Sequence, residues 1–352
     1  MINRSNWKLC REYLVYREEV EQISKSSLRQ EDGRIQFLLE WAGAETFEKA
    51  PQIRPTFPEY VTKARQDGQS GLLARAYVDK VIWTAHHFFK WVITRHKVYG
   101  KVNQVWLDTL KTPRMTVEYK EHEAVTLEEV RAMAQAEVTT LREKRVQAAA
   151  VFWFLSGIRI GAFVTLPVLA VDLDNLTVKQ WPKLGVHTKF GKHATTYLLD
   201  IPDLLEVVKD WDKRIKTVLP DNNFWFAPIS PDTGGLDPKI TGVGRCRDAG
   251  ARQDLVNWLK AVDLPYHSPH KFRHGHAVYG IKNAKDITAL KAISQNLMHS
   301  DLSITDGVYG VLSGTDVKSQ IANLGKNAPS ENLDDISEMK KMMSRILASL
   351  EK

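Results

Sequence analysis

Apolar side chains recur at helical spacing through the N-terminal third of the chain. The stretch from Leu72 to Lys97 is the strongest predicted helix, and its broad apolar face comprises Val78, Val81, Ile82, Ala85, Phe88, Phe89 and Val92. A second helix is predicted around Glu31 to Trp41. Pro51, Pro55 and Pro58 indicate a loop or a short helix start between them. The pattern predicts a helical N-terminal domain.

The helical periodicity stops between Leu110 and Glu123. Thr112-Pro113-Arg114 and the charged stretch from Glu118 to Glu123 are typical of an interdomain linker. We therefore predict a helical domain over residues 1–118 and a second domain over residues 119–326.

The second domain mixes helices with short strands. A capping box at Thr126-Leu127-Glu128-Glu129 predicts a helix to about Glu137. An apolar helix follows from about Arg145 to Leu155 and ends at Ser156-Gly157. Short strands separated by turns rich in glycine and lysine are then predicted at 173–178, 185–188 and 195–201. Helical patterning resumes from Leu204 and from Gln253 to Val262.

At the end of the chain, residues 327–352 form a separate segment. Its apolar pattern predicts a helix from Ser330 to Lys352. Its apolar positions follow at steps of three or four and make one stripe. Such a stripe must be buried, either on the helix's own domain or on another protomer. The pattern favours neither.

The composition is that of a soluble globular protein, with 43% hydrophobic and 26% charged residues. No apolar run approaches the ~18–20 residues that a membrane span needs, and the first residues contain no secretory signal. Cys10 and Cys246 cannot form a disulfide framework. A reducing, cytoplasmic location is expected.

Positive charge is concentrated near the N-terminus. The whole chain carries a formal net charge of +7, and residues 1–120 hold 20 basic and 14 acidic side chains, a net of +6. The predicted helix from Leu72 to Lys97 bears its basic residues away from its apolar face. This surface is either simply solvated or faces a polyanion such as DNA.

The first candidate chemical group is the segment Pro269-His270-Lys271-Phe272-Arg273-His274. His270 and Arg273 lie three residues apart and can project from one helix face. Alone, the segment is equally consistent with a basic helix start in solvent. A metal site using His270, His274 and His276 is disfavoured, because no carboxylate or cysteine stands at ligand spacing.

Further polar groups flank this segment in sequence. Arg159, in Gly157-Ile158-Arg159, follows an apolar run and needs a carboxylate or phosphate partner. Lys189 lies in the turn Thr188-Lys189-Phe190-Gly191-Lys192. His299 precedes Tyr309 by ten residues.

In this order and spacing the residues resemble the tyrosine recombinases of the Xer, Cre and phage integrase type. The resemblance covers roughly Thr126 to Thr315, and less specifically the N-terminal third as the helical core-binding domain. It implies a mainly α fold with a helical N-terminal core-binding domain and an α+β catalytic domain with a small antiparallel sheet. The implied catalytic residues are Arg159, Lys189, His270, Arg273, His299 and Tyr309.

The resemblance also implies a role for each of these residues. The two arginines clamp the phosphate oxygens, and Tyr309 is the nucleophile that forms a 3′-phosphotyrosine. Lys189 is the general acid for the leaving 5′-oxygen, with Lys192 as the alternative because the turn carries both. His270 assists removal of the tyrosine proton, and His299 donates a hydrogen bond to the phosphate.

Tyr279 is the alternative nucleophile. It lies six residues after Arg273 on the same predicted helix, where an aromatic side chain more often belongs to the core. We therefore favour Tyr309.

The chain departs from the family pattern at three points. The acidic residue usual three positions after the first arginine is Ala162, so another group must brace the arginines. The glycine usual before the third-box histidine is Met298. The interval of ten residues between His299 and Tyr309 is one longer than in Xer or Cre.

The function implied is site-specific recombination of double-stranded DNA by a homo-tetramer through a Holliday junction, without metal, ATP or another cofactor. A nucleoid-associated enzyme of a prokaryotic genome or mobile element is expected. A type IB topoisomerase is the nearest alternative, although that family generally has lysine where His270 stands. A telomere resolvase and a catalytically inactive DNA-binding relative are the others. The target sequence, the accessory factors and the direction of the reaction are not encoded in any motif.

Overall fold

The computed structural model describes residues 1–63, 72–96, 99, 102–112, 123–240, 244 and 246–299. The chain divides into two compact units, Met1–Glu118 and Tyr119–Lys352. Tyr309, the predicted helix Ser330–Lys352 and most of the predicted linker lie outside the described residues. Among the helices that the structure describes, none combines the length and the apolar character that a membrane span requires.

The first unit is built from helices packed on one apolar core. Its elements are α1 Arg4–Glu19, α2 Lys25–Ala42, a 3-10 turn Phe47–Gln52, α3 Phe57–Lys63, α4 Arg75–Arg95 and the short α5 Gln104–Leu107. Phe88 and Phe89 of α4 are fully buried and meet Phe47 edge to face at about 5.3–5.4 Å. The helical prediction for this part of the chain is confirmed.

The second unit contains α6 Leu127–Gln135, α7 Leu141–Ser156, α8 Ile160–Phe163, α9 Pro202–Lys216, α10 Arg247–Ala261, α11 Pro269–Asn283 and α12 Ile287–Asn296. Helix α7 lies at the centre and packs on α6, α9, α10 and α11. Every residue from Arg145 to Ser156 is buried, because the helix has neighbours on all sides. The predicted capping box at Thr126 is present, and Thr140 and Glu143 form a second one at the start of α7.

A small antiparallel sheet adjoins these helices. Strands β1 Val171–Asp172, β2 Thr177–Gln180 and β3 Ala194–Tyr197 pair in the order β1-β2-β3, with Val178 opposite Val171 and Thr196. The expected mainly α fold with a small antiparallel sheet is therefore confirmed.

Two predicted strands are wrong in part or in whole. The strand predicted at 173–178 overlaps β2 only at Thr177 and Val178, because residues 173–176 form the turn between β1 and β2. Residues 185–188 are not a strand, because Pro182 opens a 3-10 turn over Pro182–Leu184 and Gly185 ends it in the left-handed conformation at φ +83°. Proline has no N–H to give a ladder, so the chain leaves the sheet after Gln180 and returns at Ala194. Helix α10 also begins six residues before its predicted start at Gln253, which brings Arg252 into the helix.

Two helical glycines give a matched test of packing. A Cβ at Gly275 in α11 would lie 2.2 Å from the Val125 carbonyl oxygen, whereas a Cβ at Gly33 in α2 would meet nothing within 4 Å. We expect Gly275→Ala to lower the free energy of unfolding by about 1–3 kcal/mol. Gly33→Ala should raise it by about 0.5–1 kcal/mol, because alanine loses less backbone entropy in a helix. Urea unfolding followed by circular dichroism measures both; a stabilised Gly275→Ala protein would contradict the close approach of α11 to Val125.

Candidate active site

The side chains predicted to act together come from distant parts of the sequence. Arg159, Lys189, His270 and Arg273 line one cavity of about 510 Å³ in the second unit. His299 is hydrogen-bonded to Arg273, and Tyr309 lies outside the described residues. Five of the six predicted site residues are thus brought together, through the ends of α7, α11 and α12 and the turn before β3.

Arg159 reaches the cavity because α7 ends abruptly just before it. Gly157 caps the helix in the left-handed conformation at φ +60°, which glycine adopts without steric cost. Arg159 then takes an extended conformation as the N-cap of α8. A Cβ on Gly157 would lie 2.8 Å from both the His276 ring and the Leu297 side chain. The glycine is therefore required for the backbone conformation and for close packing.

Arg273 is the buried arginine of the site, with 3% of its surface exposed. Its Nη1 donates to the Gly157 carbonyl, and its Nη2 donates to the Leu297 carbonyl at 2.5 Å. Nη2 also lies 3.0 Å from Nε2 of His299. Main-chain carbonyls thus hold Arg273, while Ala162, at the position of the expected acidic residue, lines the cavity.

His299 is held in its neutral form by burial and by the positive charges around it. Burial first, and then the charges of Arg273, Arg159 and Lys192, lower its pKa to about 4. Because Arg273 can only donate, Nε2 of His299 is an acceptor in this arrangement and the ring proton lies on Nδ1. The expected donation from His299 to a phosphate therefore requires Nδ1, or release of Nε2 from Arg273.

His270 lies on the first turn of α11 at the cavity wall. Desolvation lowers its pKa below the usual 6.5, and the positive charges of Arg273, Arg159 and Lys271 lower it further. The His274 ring lies edge to face with it, 4.4 Å between centroids. His270 is therefore a neutral imidazole at neutral pH, as a proton acceptor must be.

The two lysines of the predicted turn occupy different places. Lys189 is exposed and lines the cavity. Lys192 is half-buried, and its Nζ donates to the Met298 carbonyl at 3.3 Å. This geometry favours Lys189 as the lysine that faces a ligand, and assigns Lys192 to holding the segment before His299.

Met298 stands where the family pattern has glycine, and its backbone explains that pattern. Its φ is +54°, in the left-handed region that glycine enters freely and other residues enter at a cost of about 1 kcal/mol or more. The departure thus lies in the side chain, and the backbone keeps a conformation suited to glycine. The chain reverses here and places His299 against Arg273.

A polar network that includes the buried His276 adjoins this reversal. Asn296 pairs with the backbone of β3, accepting from the Tyr197 N–H at 2.7 Å and donating to its carbonyl at 2.9 Å. Its amide also lies 3.3 Å from Nε2 of His276. Nδ1 of His276 bonds the Phe154 carbonyl at 2.9 Å. The network ties α7, α11, α12 and β3 together.

The sequence analysis missed two contributors. Arg252 of α10 lines the cavity, but the late predicted start of that helix hid its position. Asn296 belongs to no motif. Only its hydrogen bonds to the edge of β3, far away in sequence, identify it as a contributor to the site. Tyr279, the alternative nucleophile, packs its ring on Phe154 at 5.9 Å and belongs to the margin of the core.

The metal alternative gains no support from the geometry. In the described part of the chain, no group of three or more His, Cys, Asp or Glu side chains is arranged to hold a metal ion. His276 is instead engaged with Phe154 and Asn296.

Comparison with solved structures agrees with this architecture. No family model and no curated protein matches the chain at a significant level. Among solved structures, a lambda integrase dimer bound to a COC′ core site matches with a TM-score of 0.58 and 13% identity, covering 88% of this chain and 95% of that chain. The Tn1549 transposon integrase in complex with a circular intermediate DNA matches with a TM-score of 0.57 and 12% identity, covering 92% of this chain and 100% of that chain.

At these identities the likeness concerns the fold. The chain has the fold of the tyrosine recombinases, and the resemblance predicted from its motifs is confirmed at that level.

The buried His276 generates a prediction for stability against pH. Burial lowers the pKa of His276 to about 4, below the 6.5 of an unfolded histidine. Its neutral form therefore stabilises the fold fully above pH 6.5, and this stability is lost as the pH falls toward 4. The loss is on the order of 3 kcal/mol for a shift of this size.

We expect His276→Gln to remove most of this pH dependence while lowering stability at pH 7. The measurement is urea unfolding at intervals between pH 7 and pH 4. His193→Gln, at an exposed position, controls for the loss of any histidine. Equal slopes for His276→Gln and the unaltered protein would contradict the assignment.

Proposed function

We propose that the chain is a tyrosine-type site-specific DNA recombinase, which cleaves and rejoins DNA strands through a covalent phosphotyrosine. One observation supports this above the others: Arg159, Lys189, His270 and Arg273 line a single cavity although they come from different elements of the fold. If the start of α11 were only a basic helix end in solvent, an arginine and a lysine from other elements would not be expected beside it. The similar fold of two DNA-bound integrases is consistent with the proposal.

The substrate group of the cavity is a phosphodiester. Its negative charge repels nucleophiles, and the charge on its non-bridging oxygens grows as a fifth oxygen approaches phosphorus. Arg159 and Arg273 are placed to bind these oxygens and stabilise that state. Arg273 suits this role because its guanidinium is already held by two carbonyls, so little side-chain entropy is lost when it binds.

The proposed first step forms a bond between the Tyr309 oxygen and phosphorus and breaks the bond to the 5′-oxygen. The phenol of pKa ~10 must lose its proton, which neutral His270 accepts. The leaving 5′-oxygen takes a proton from Lys189. Attack by the 5′-hydroxyl of another strand then reverses the step and frees the tyrosine. The phosphotyrosine keeps the energy of the broken ester, so the exchange needs no nucleotide cofactor.

The proposed assembly is a homo-tetramer on two DNA duplexes, in which strands exchange in two rounds through a Holliday junction. The helical first unit serves as the core-binding domain, and its basic surface contacts phosphates. In this proposal the helix predicted from the sequence over Ser330–Lys352 docks on a neighbouring protomer. Deletion after Pro329 tests that contact, because exchange and synapsis should both fail while DNA binding persists.

Trapping the covalent complex is the direct test of the nucleophile. Denaturing lysis of cells that express the protein, followed by sequencing of the DNA bound to it, should recover a defined site. The same site, prepared as a nicked duplex, should give a covalent adduct with the unaltered protein. We expect Tyr309→Phe to give no adduct, and Tyr279→Phe, the matched control, to give adduct at a rate within about threefold of the unaltered protein. Adduct formation by Tyr309→Phe would contradict the assignment of Tyr309 as the nucleophile.

The same substrate separates the recombinase from its alternatives. Two marked duplexes exchange strands only in a recombinase, whereas relaxation of a supercoiled plasmid without exchange indicates a topoisomerase. Binding to the recovered DNA with no adduct from any variant indicates a DNA-binding protein without catalytic activity.

The lowered pKa of His270 predicts the pH dependence of adduct formation. A base acts in its neutral form, and the His270 ring stays neutral to below pH 6.5. We therefore expect the rate of adduct formation to hold between pH 7.5 and pH 6.5 and to fall at lower pH. His270→Gln should be slower by about 10²–10³ at pH 7, with this limb of the profile flattened. Single-turnover rates measure both; an unchanged profile in His270→Gln would remove its role as base.

A further inference from the structure

The turn that carries Lys189 also presents an aromatic ring to solvent. Phe190 is 85% exposed, although burial of a phenylalanine ring ordinarily stabilises a fold. Its backbone has φ +61° and ψ 24°, the left-handed conformation, and Gly191 follows at φ +63°. A bulky residue in this conformation is strained, and such strain is concentrated at functional sites. A phenylalanine at this position therefore does not stabilise the fold of the second unit.

The turn holds the ring in one place. The Thr188 hydroxyl donates to the Lys192 carbonyl at 2.6 Å, and the Gly191 N–H donates to the Thr188 carbonyl at 3.2 Å. The Lys189 ammonium lies 5.1 Å from the centre of the Phe190 ring, within cation–π range. Thr188 and Lys189 line the cavity. The ring thus projects from a turn whose preceding residues line the cavity, and it contacts the proposed general acid.

The residues around Phe190 in the sequence indicate the kind of partner that its ring contacts. From Asn175 to Leu199 the sequence has four lysines and two histidines, and neither aspartate nor glutamate. Aromatic side chains lie among these basic residues. They are Trp181, beside Lys179 and Lys183, and the exposed Tyr197. Basic residues that track a backbone, with aromatic rings between them, are the pattern that binds nucleic acid by phosphate contact and base stacking.

We propose that Phe190 enters the DNA beside the phosphate bound in the cavity and stacks on a base next to the strand that is cut. Unstacking the two bases costs free energy, which the ring offsets by occupying the opened step. Since Lys189 lies over the ring, insertion would bring its ammonium to the leaving oxygen. This inference rests on the proposed function, and concerns how its active site grips DNA.

A binding experiment tests the ring without depending on catalysis. The probes are a mixed-sequence 30-base-pair duplex and the same duplex with a central one-nucleotide gap, titrated by fluorescence anisotropy at low salt. The gapped duplex has already lost stacking at one step, so a protein that inserts a ring should bind it more tightly. We expect a preference of about tenfold for the unaltered protein and less than about twofold for Phe190→Gly. Phe190→Trp should retain the preference.

Two controls separate stacking from folding and from charge. Phe190→Gly should unfold at the same temperature as the unaltered protein or higher, because glycine adopts the left-handed conformation freely. Lys183→Ala should weaken binding of both duplexes to a similar extent and leave their ratio unchanged, as expected for a phosphate contact.

Each other outcome overturns the inference. Equal affinity of the unaltered protein for the two duplexes, or an undiminished preference in Phe190→Gly, excludes insertion and leaves the Tyr309 adduct test unaffected. A change in oligomeric state of Phe190→Gly with DNA binding unaltered assigns the ring to a protein contact instead. If neither duplex is bound at low salt, the inference and the proposed function fail together.

Discussion

The second unit is organised around a buried positive charge. A guanidinium removed from water is unstable unless its N–H groups are satisfied, and Arg273 meets this requirement with the carbonyls of Gly157 and Leu297 and the ring of His299. Hydrogen bonds to a charged group contribute about 1.5–3 kcal/mol each. Satisfying Arg273 therefore draws the end of α7 and the end of α12 to the same helix, α11.

The close approach that Arg273 imposes explains the residues around it. Gly157 has room for no Cβ, because His276 and Leu297 already lie against its backbone. Met298 accepts a left-handed backbone so that the chain can turn back directly after offering its Leu297 carbonyl. Asn296 replaces a missing strand partner along β3, which anchors the same turn to the sheet. The geometry of the cavity wall thus follows from the burial of one charged group, the Arg273 guanidinium.

Burial and this concentration of positive charge together determine the protonation of the histidines at the site. Burial, and then the charges of Arg273 and Arg159, lower the pKa of both His270 and His299 and keep both rings neutral near pH 7. A further cation there would add to the repulsion between these positive charges, whereas a bound phosphate would relieve it. The cavity is thus electrostatically suited to an anion, and main-chain carbonyls hold Arg273 there, with Ala162 at the position of the expected carboxylate.

The sequence by itself determined the helical first unit, the capping box at Thr126, the central helix ending at Gly157 and the mixed second unit, because helical periodicity and caps are local properties. It also picked out Arg159, Lys189, His270, Arg273 and His299, since their order matched a known pattern. Local rules failed where Pro182 withdrew a stretch from the sheet and where α10 began early. Only the tertiary structure decided which lysine faces the cavity, which groups brace Arg273 and why Asn296 matters. Those answers depend on contacts between residues far apart in sequence, and such contacts leave no periodic trace in the chain.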